Sequence, residues 1–145
     1  MIAIGSDHAG YAVKEEIKKH LEDNKILFKD FGTFSEESCD YPVLAEKVAD
    51  SVVSGESSKG ILICGTGIGI SIAANKVKGI RAALCYEPAL AEMSRKHNDA
   101  NIVCLGGRTT DFETAKAIVD AFLNTDFEGG RHKKRLGKIE NIENR

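Results

Sequence analysis

No apolar stretch in this chain approaches the roughly 20 residues that a membrane-spanning helix needs, and basic charge is not in excess. Its 145 residues carry 20 Lys and Arg against 22 Asp and Glu, a formal net charge of -2. A general nucleic-acid binder would show a strongly basic balance, so neither nucleic acid nor a membrane is an expected partner. The four cysteines, Cys39, Cys64, Cys85 and Cys104, have no CxxC spacing and no metal-knuckle pattern. Three of them fall in apolar strand-like runs, which suits a reduced, cytosolic setting better than a disulfide framework. The start, Met1-Ile2-Ala3-Ile4-Gly5, is apolar at once and lacks a basic leader. No signal peptide is therefore expected, and cytoplasm is the default location. Internal repeats, low-complexity segments and linkers are also missing. With 42% apolar residues, the chain reads as one soluble domain over 1–145, long enough for one filled core and too short for two.

What is present alternates between two signatures. Short runs rich in Ile, Val and Leu occur at Met1–Gly5, Ile26–Phe31, Gly60–Cys64, Ile80–Cys85 and Asn101–Leu105. They are too continuous to be half-exposed strands and read as strands covered on both faces. Helical patterns lie between them. Val13, Ile17 and Leu21 recur every four residues, with Lys and Glu filling the opposite side. Leu44, Val48 and Val52 repeat that spacing after Pro42, and Pro88 opens a segment through Leu90 and Met93; proline suits a first helical turn. Thr110-Asp111-Phe112-Glu113 has capping-box form ahead of Ala115, Ile118, Val119 and Phe122. This alternation predicts an α/β fold, a five-stranded parallel sheet between helices with right-handed crossovers. In such sheets ligands bind beyond the carboxyl ends of the strands. The residues that follow the runs are therefore the candidates for chemistry.

Cys64 ends one run where Gly65-Thr66-Gly67-Ile68-Gly69 begins. Glycines at alternate positions let the backbone turn sharply and aim its N–H groups inward. A helix starting at Ile68 or Gly69 would add its N-terminal dipole, a field that favours a thiolate. A thiol beside such a cradle looks like a base next to an oxyanion site; the plainer reading is a small buried apolar side chain. Asp7 and His8 follow the first run and share that rim if the two strands are adjacent. They suit sugar hydroxyls or proton transfer, although Asp7 equally suits a helix cap. His97-Asn98 closes the segment opened by Pro88, where a histidine can shuttle protons or simply oppose the helix dipole. Arg131 and Arg135, four apart in the tail, share a helix face and can converge on a phosphate, and Arg108 can add a third fork; a solvated basic run is the alternative. A nucleotide cradle fits poorly. Ile70 stands where the third glycine of a dinucleotide fingerprint would be, and Lys76 is too far along for a Walker lysine. From Gly129 the tail can form a closing helix, about 131–145, with Leu136, Ile139 and Ile142 docked on a neighbour.

Taken together these residues resemble the ribose-5-phosphate isomerase B family, which also includes the galactose- and allose-6-phosphate isomerases. The matching stretches are Gly5-Ser6-Asp7-His8-Ala9-Gly10, Asp40-Tyr41-Pro42, Cys64 to Gly69, Arg81-Ala82-Ala83, His97 to Asn101, Gly106-Gly107-Arg108 and the tail arginines. They run through the whole chain in order. The resemblance implies a Rossmann-like three-layer α/β/α sandwich and a homodimer, sometimes paired into tetramers, with active sites between subunits. It also implies aldose–ketose isomerisation of a sugar phosphate through an enediolate, with no metal and no cofactor. Carried over position by position, Cys64 would be the base, with His97 opening the furanose ring and Asp7 its candidate partner. Thr66 and the N–H groups of Gly65, Gly67, Ile68 and Gly69 would hold the enediolate. Tyr41 and Asn98 would contact the sugar, and His8, Arg108, Arg131 and Arg135 the phosphate. One branch of the family uses a glutamate after the loop as base; Ile70–Asn75 contains no acid, which places this chain with the cysteine type. A six-carbon sugar phosphate, or a non-catalytic phosphosugar-binding module, are the competing functions.

Overall fold

The computed structural model describes all 145 residues. Five strands, β1 (Ile2–Ser6), β2 (Phe28–Asp30), β3 (Lys59–Cys64), β4 (Ala82–Leu84) and β5 (Ile102–Gly106), form one sheet in the order β2-β1-β3-β5-β4. All four pairings are parallel. Six helices connect and flank them: α1 (Tyr11–Asp23), α2 (Tyr41–Val53), α3 (Ile68–Ala74), α4 (Pro88–Asn98), α5 (Phe112–Leu123) and α6 (Arg131–Glu143). The expected α/β/α sandwich is the observed one. No helix is long and apolar enough to cross a membrane.

Strands β1, β3 and β5 are almost wholly buried because each face of the sheet has its own core, whereas the edge strands β2 and β4, expected to be covered on both faces, are only partly buried. Ile4, Ile61, Ile63, Val103 and Leu105 point to one side, against Val13, Ile17 and Leu21 of α1 and Ile118, Val119 and Phe122 of α5. Ala3, Leu62, Cys64, Ile102 and Cys104 point to the other, against α2 and α3. Successive side chains alternate between these cores, so a one-residue slip of β3 would exchange its whole set.

Two local readings shift. Lys14, expected on the solvent side of α1, is fully buried. Its ammonium donates to Asp30 Oδ1 and Oδ2 at 2.7 and 2.8 Å and to the Thr33 carbonyl, which compensates the lost hydration. The cap of α5 is Asp111 rather than Thr110: the Asp111 carboxylate accepts the Thr114 N–H at 2.8 Å. A charged acceptor at a helix N-terminus outcompetes a neighbouring hydroxyl, and Thr110 Oγ1 is left unpartnered.

The order β2-β1-β3 creates a switch point. The chain leaves β1 outward to β2 and then returns to the opposite side of β1 as β3. Helix α1 covers one face and α2 the other. The connections beyond the carboxyl ends of β1 and β3 therefore diverge and open a crevice.

Candidate active site

Three strand-end loops meet at that crevice because glycine lets them. The Asp7 N–H donates to the Ile63 carbonyl at 3.1 Å, the Gly107 N–H to the Cys64 carbonyl at 2.7 Å, and the Arg108 N–H to the Gly65 carbonyl at 2.9 Å. A Cβ on Gly10 would stand 2.6 Å from the Ile63 oxygen, and one on Gly107 2.5 Å from the Ala9 oxygen. Gly67 caps α3 with φ of 82°, in the left-handed region that side chains avoid.

Within this frame the side chains take defined positions. The Cys64 sulfur, on a residue 5% exposed, accepts the Gly67 N–H at 3.2 Å. Thr66 Oγ1 accepts the Ile68 N–H at 3.1 Å, which leaves its O–H free to donate outward. Asp7 Oδ1 takes the N–H groups of Ala9 and Gly10 at 3.0 and 3.1 Å. Asp7 is thus a cap, as one reading held, with its second oxygen outside those bonds. His8 Nδ1 accepts the Cys39 N–H at 3.2 Å, so a neutral His8 carries its proton on Nε2 and offers it as a donor. The Tyr41 ring lies against Gly69, where an added Cβ would meet it at 2.7 Å. The Arg108 guanidinium reaches Gly65, 3.7 Å from a Cβ built there.

The other thiols of the sheet are poor candidates for the same work. Burial pushes the Cys85 thiol up to about 11, against a hydrogen bond from Ser94. Burial, with Cys64 and Cys85 nearby, pushes Cys104 far above its ordinary value. Neither ionises near neutral pH.

His97, Asn98, Arg131 and Arg135 stand elsewhere. Helix α4 leaves the carboxyl end of β4 and runs back over about 16 Å before its last residues lead into β5. His97 and Asn98 therefore lie at the amino-end edge of the sheet, opposite Cys64. Helix α6 begins beside them: His132 stacks on His97 with ring centroids 4.4 Å apart. Arg131 and Arg135 are exposed, and no carboxylate lies within 4 Å of either. The largest cavity, about 540 Å³, lies on this side of the molecule, between α6 and the α4–β5 turn.

One protomer thus holds the candidate residues in two separate clusters. Asp7, His8, Tyr41, Cys64 to Gly69 and Arg108 come together at one edge, and His97, Asn98, Arg131 and Arg135 at the other. Sequence reasoning assigned no role to His132 or Glu128, although both touch His97. Their contact depends on how α6 docks on α4, and no residue spacing reports that.

The model of the Ribose/Galactose Isomerase family matches residues 2–139. The chain is 52% identical over 144 residues to ribose-5-phosphate isomerase B of Escherichia coli strain K12, covering 99% of this chain and 97% of that one. The solved structure of the Clostridium thermocellum ribose-5-phosphate isomerase B superposes with a TM-score of 0.97 at 55% identity, covering 99% and 97% of the two chains. That of Mycoplasma genitalium ribose-5-phosphate isomerase B with bound ribulose-5-phosphate gives 0.94 at 43%, covering 99% and 95%. Fold, motif order and full-length similarity agree, and the chain belongs to the Ribose/Galactose Isomerase family.

Proposed function

We propose that the protein interconverts ribose 5-phosphate and ribulose 5-phosphate through an enediolate, with Cys64 as the base. The observation that carries this reading is the Cys64 sulfur held 3.2 Å from the Gly67 N–H, in the crevice between β1 and β3. A fixed backbone donor there compensates negative charge on the sulfur or on an oxygen developing beside it. The similarity to isomerases named for this substrate, one of them solved with bound ribulose-5-phosphate, supports the same choice.

The Cys64 thiolate takes the C2 proton of the open-chain aldose. The electron pair left behind forms the C1–C2 double bond, and the former C1 carbonyl oxygen carries the enediolate charge. Cys64 then returns the proton to C1 while the C2 hydroxyl proton passes to O1, leaving a carbonyl at C2. The step is redox-neutral overall and regenerates the thiolate. The Thr66 hydroxyl and the loop N–H groups hold the enediolate, and Tyr41 orients the sugar. A substrate donor contact of this kind is worth roughly 3–4 kcal/mol at the transition state.

The remaining groups come from a second copy of the chain. His97 of the partner subunit moves the anomeric hydroxyl proton toward the ring oxygen, with Asp7 facing it, and Asn98 of the partner subunit holds a hydroxyl. Arg131 and Arg135 of the partner subunit join His8 and Arg108 around the phosphate, whose binding energy fixes the reacting carbons. Exposed apolar side chains support this assembly: Ile68 and Ile72 on α3, Leu90 and Met93 on α4, and Ile139 and Ile142 on α6 are each more than 40% exposed. A partner that covers them gains hydrophobic stabilisation.

Cys64→Ala tests the base directly. Ribose 5-phosphate turnover is expected to fall by about 10²–10⁴ with the circular dichroism spectrum unchanged; wild-type turnover would remove Cys64 from the mechanism. Parallel kcat/KM values for allose 6-phosphate and galactose 6-phosphate check the substrate. A higher value for either would reassign the enzyme to a six-carbon sugar.

A further inference from the structure

Where α4 meets the segment before α6, three metal-ligating side chains converge. Glu128 Oε1 lies 3.8 Å from His97 Nε2 and 3.8 Å from His132 Nε2. One ligand atom from each of the three falls within 4.8 Å of the others. The two imidazoles stack with 19° between their planes, so one ring must turn out of the stack for both Nε2 lone pairs to meet at one ion. The Glu128 N–H donates to the Lys96 carbonyl at 3.1 Å, which ties the carboxylate to the end of α4.

We infer that His97, Glu128 and His132 form a binding site for a zinc-like divalent cation, and that its occupancy inhibits the enzyme. Tetrahedral zinc with ligands at about 2.0–2.2 Å requires donor atoms about 3.4 Å apart. The two Glu128–imidazole separations of 3.8 Å need to contract by about 0.4 Å, within the rotamer freedom of a half-exposed glutamate, while the two imidazole nitrogens, within 4.8 Å of each other, close by a turn of the partly exposed His97 ring. The donor set selects the ion. Two neutral imidazoles and one carboxylate suit zinc, cobalt or nickel, while magnesium and calcium prefer all-oxygen shells. Metal binding requires the imidazoles unprotonated. The side chains of His97 and Glu128 are 41% and 51% exposed, so an ion can enter from solvent and keep water in the fourth position. Arg131, Lys133 and Arg135 on α6 add positive charge nearby and moderate the affinity, which suits reversible control rather than a permanent structural ion.

Binding stands on this geometry alone, while inhibition rests on the ring-opening role proposed for His97. A metal on Nε2 would block the proton that His97 moves. Calorimetric titration of the wild-type protein with zinc chloride in chelator-free buffer tests the site. One saturable equivalent per protomer is expected, weakened about tenfold or more in Glu128→Ala and in His132→Asn and unchanged in Cys64→Ala. Magnesium chloride should produce no saturable binding. Glu128→Ala is exposed, so its fold is secure even if His132→Asn disturbs the docking of α6. Absence of saturable zinc binding, wild-type affinity in Glu128→Ala, or loss confined to Cys64→Ala would overturn the site. Turnover of ribose 5-phosphate should fall with zinc and return with EDTA, and Glu128→Ala should need about tenfold more zinc for the same loss. Zinc bound at the expected residues with turnover intact would uphold the site and remove the ring-opening role of His97.

Discussion

Cys64 and His97 lie at opposite edges of one parallel sheet, with the length of α4 between them. Their separation follows from topology: Cys64 closes a strand, and His97 closes the helix that carries the chain back to the start of the next strand. No side-chain rotation brings them together within a protomer.

A site that needs both residues therefore draws them from two copies, and mixed dimers reveal it. Cys64→Ala and His97→Asn should each be impaired as pure proteins. When they are mixed and reassembled, half of the dimers are hybrids, and each hybrid has one site with both native residues. About one quarter of wild-type activity should return. No recovery, with subunit exchange verified by mass, would place both residues in the same subunit's site.

Arg135 is exposed and has no carboxylate partner, so Arg135→Ala leaves no unpaired charge behind. The loss should appear in substrate binding. A charge-assisted hydrogen bond contributes about 1.5–3 kcal/mol, which corresponds to a KM for ribose 5-phosphate roughly ten- to a hundredfold higher with kcat largely retained. An unchanged KM in steady-state assays would exclude Arg135 from the phosphate contacts.

Gly10 holds the start of α1 against β3 at a distance that excludes any side chain. Gly10→Ala must displace the loop that carries Asp7 and His8. A stability loss of about 1–3 kcal/mol is expected from the overpacking, together with reduced turnover. Urea denaturation at wild-type midpoint would show that the loop yields without cost.

The Lys14–Asp30 pair governs the acid limb of stability. Burial alone would raise the Asp30 carboxyl, but hydrogen bonds from Lys14, Lys18 and the Gly32 N–H outweigh it and hold the group below its ordinary value. Burial also lowers the Lys14 ammonium, against the pull of Asp30. Because the folded Asp30 binds its proton less readily than the unfolded one, its contribution is full above about pH 4 and is lost as pH falls through the folded value. Asp30→Asn should cost about 3–5 kcal/mol at pH 7, since Lys14 is left buried without a counter-charge. The gap to wild type in urea midpoint should narrow on acidification; a gap independent of pH would show that the carboxylate charge is not what matters.

Much of the molecule is legible in local sequence. The five strand runs and the helical spacings of Val13, Ile17 and Leu21 record burial, because an apolar side chain in water is costly wherever it sits in the chain. The glycine loop after Cys64 records a backbone conformation that other residues resist. Charge was less readable. Lys14 carries the same polar label as its solvent-facing neighbours, and only the arrival of Asp30 at the end of β2 makes its burial possible.

The sequence by itself determined the strand–helix alternation, the strand-end position of Cys64 and the family resemblance, since each depends on residues near one another in the chain. Tertiary structure decided what lies together. It joined Asp7, Cys64 and Arg108 through adjacent strand ends, set His97 against Glu128 and His132, and divided the proposed site into two halves facing apart. Those relations depend on strand order and helix docking, which are settled by the summed packing of both cores and leave no mark in the spacing of any single motif.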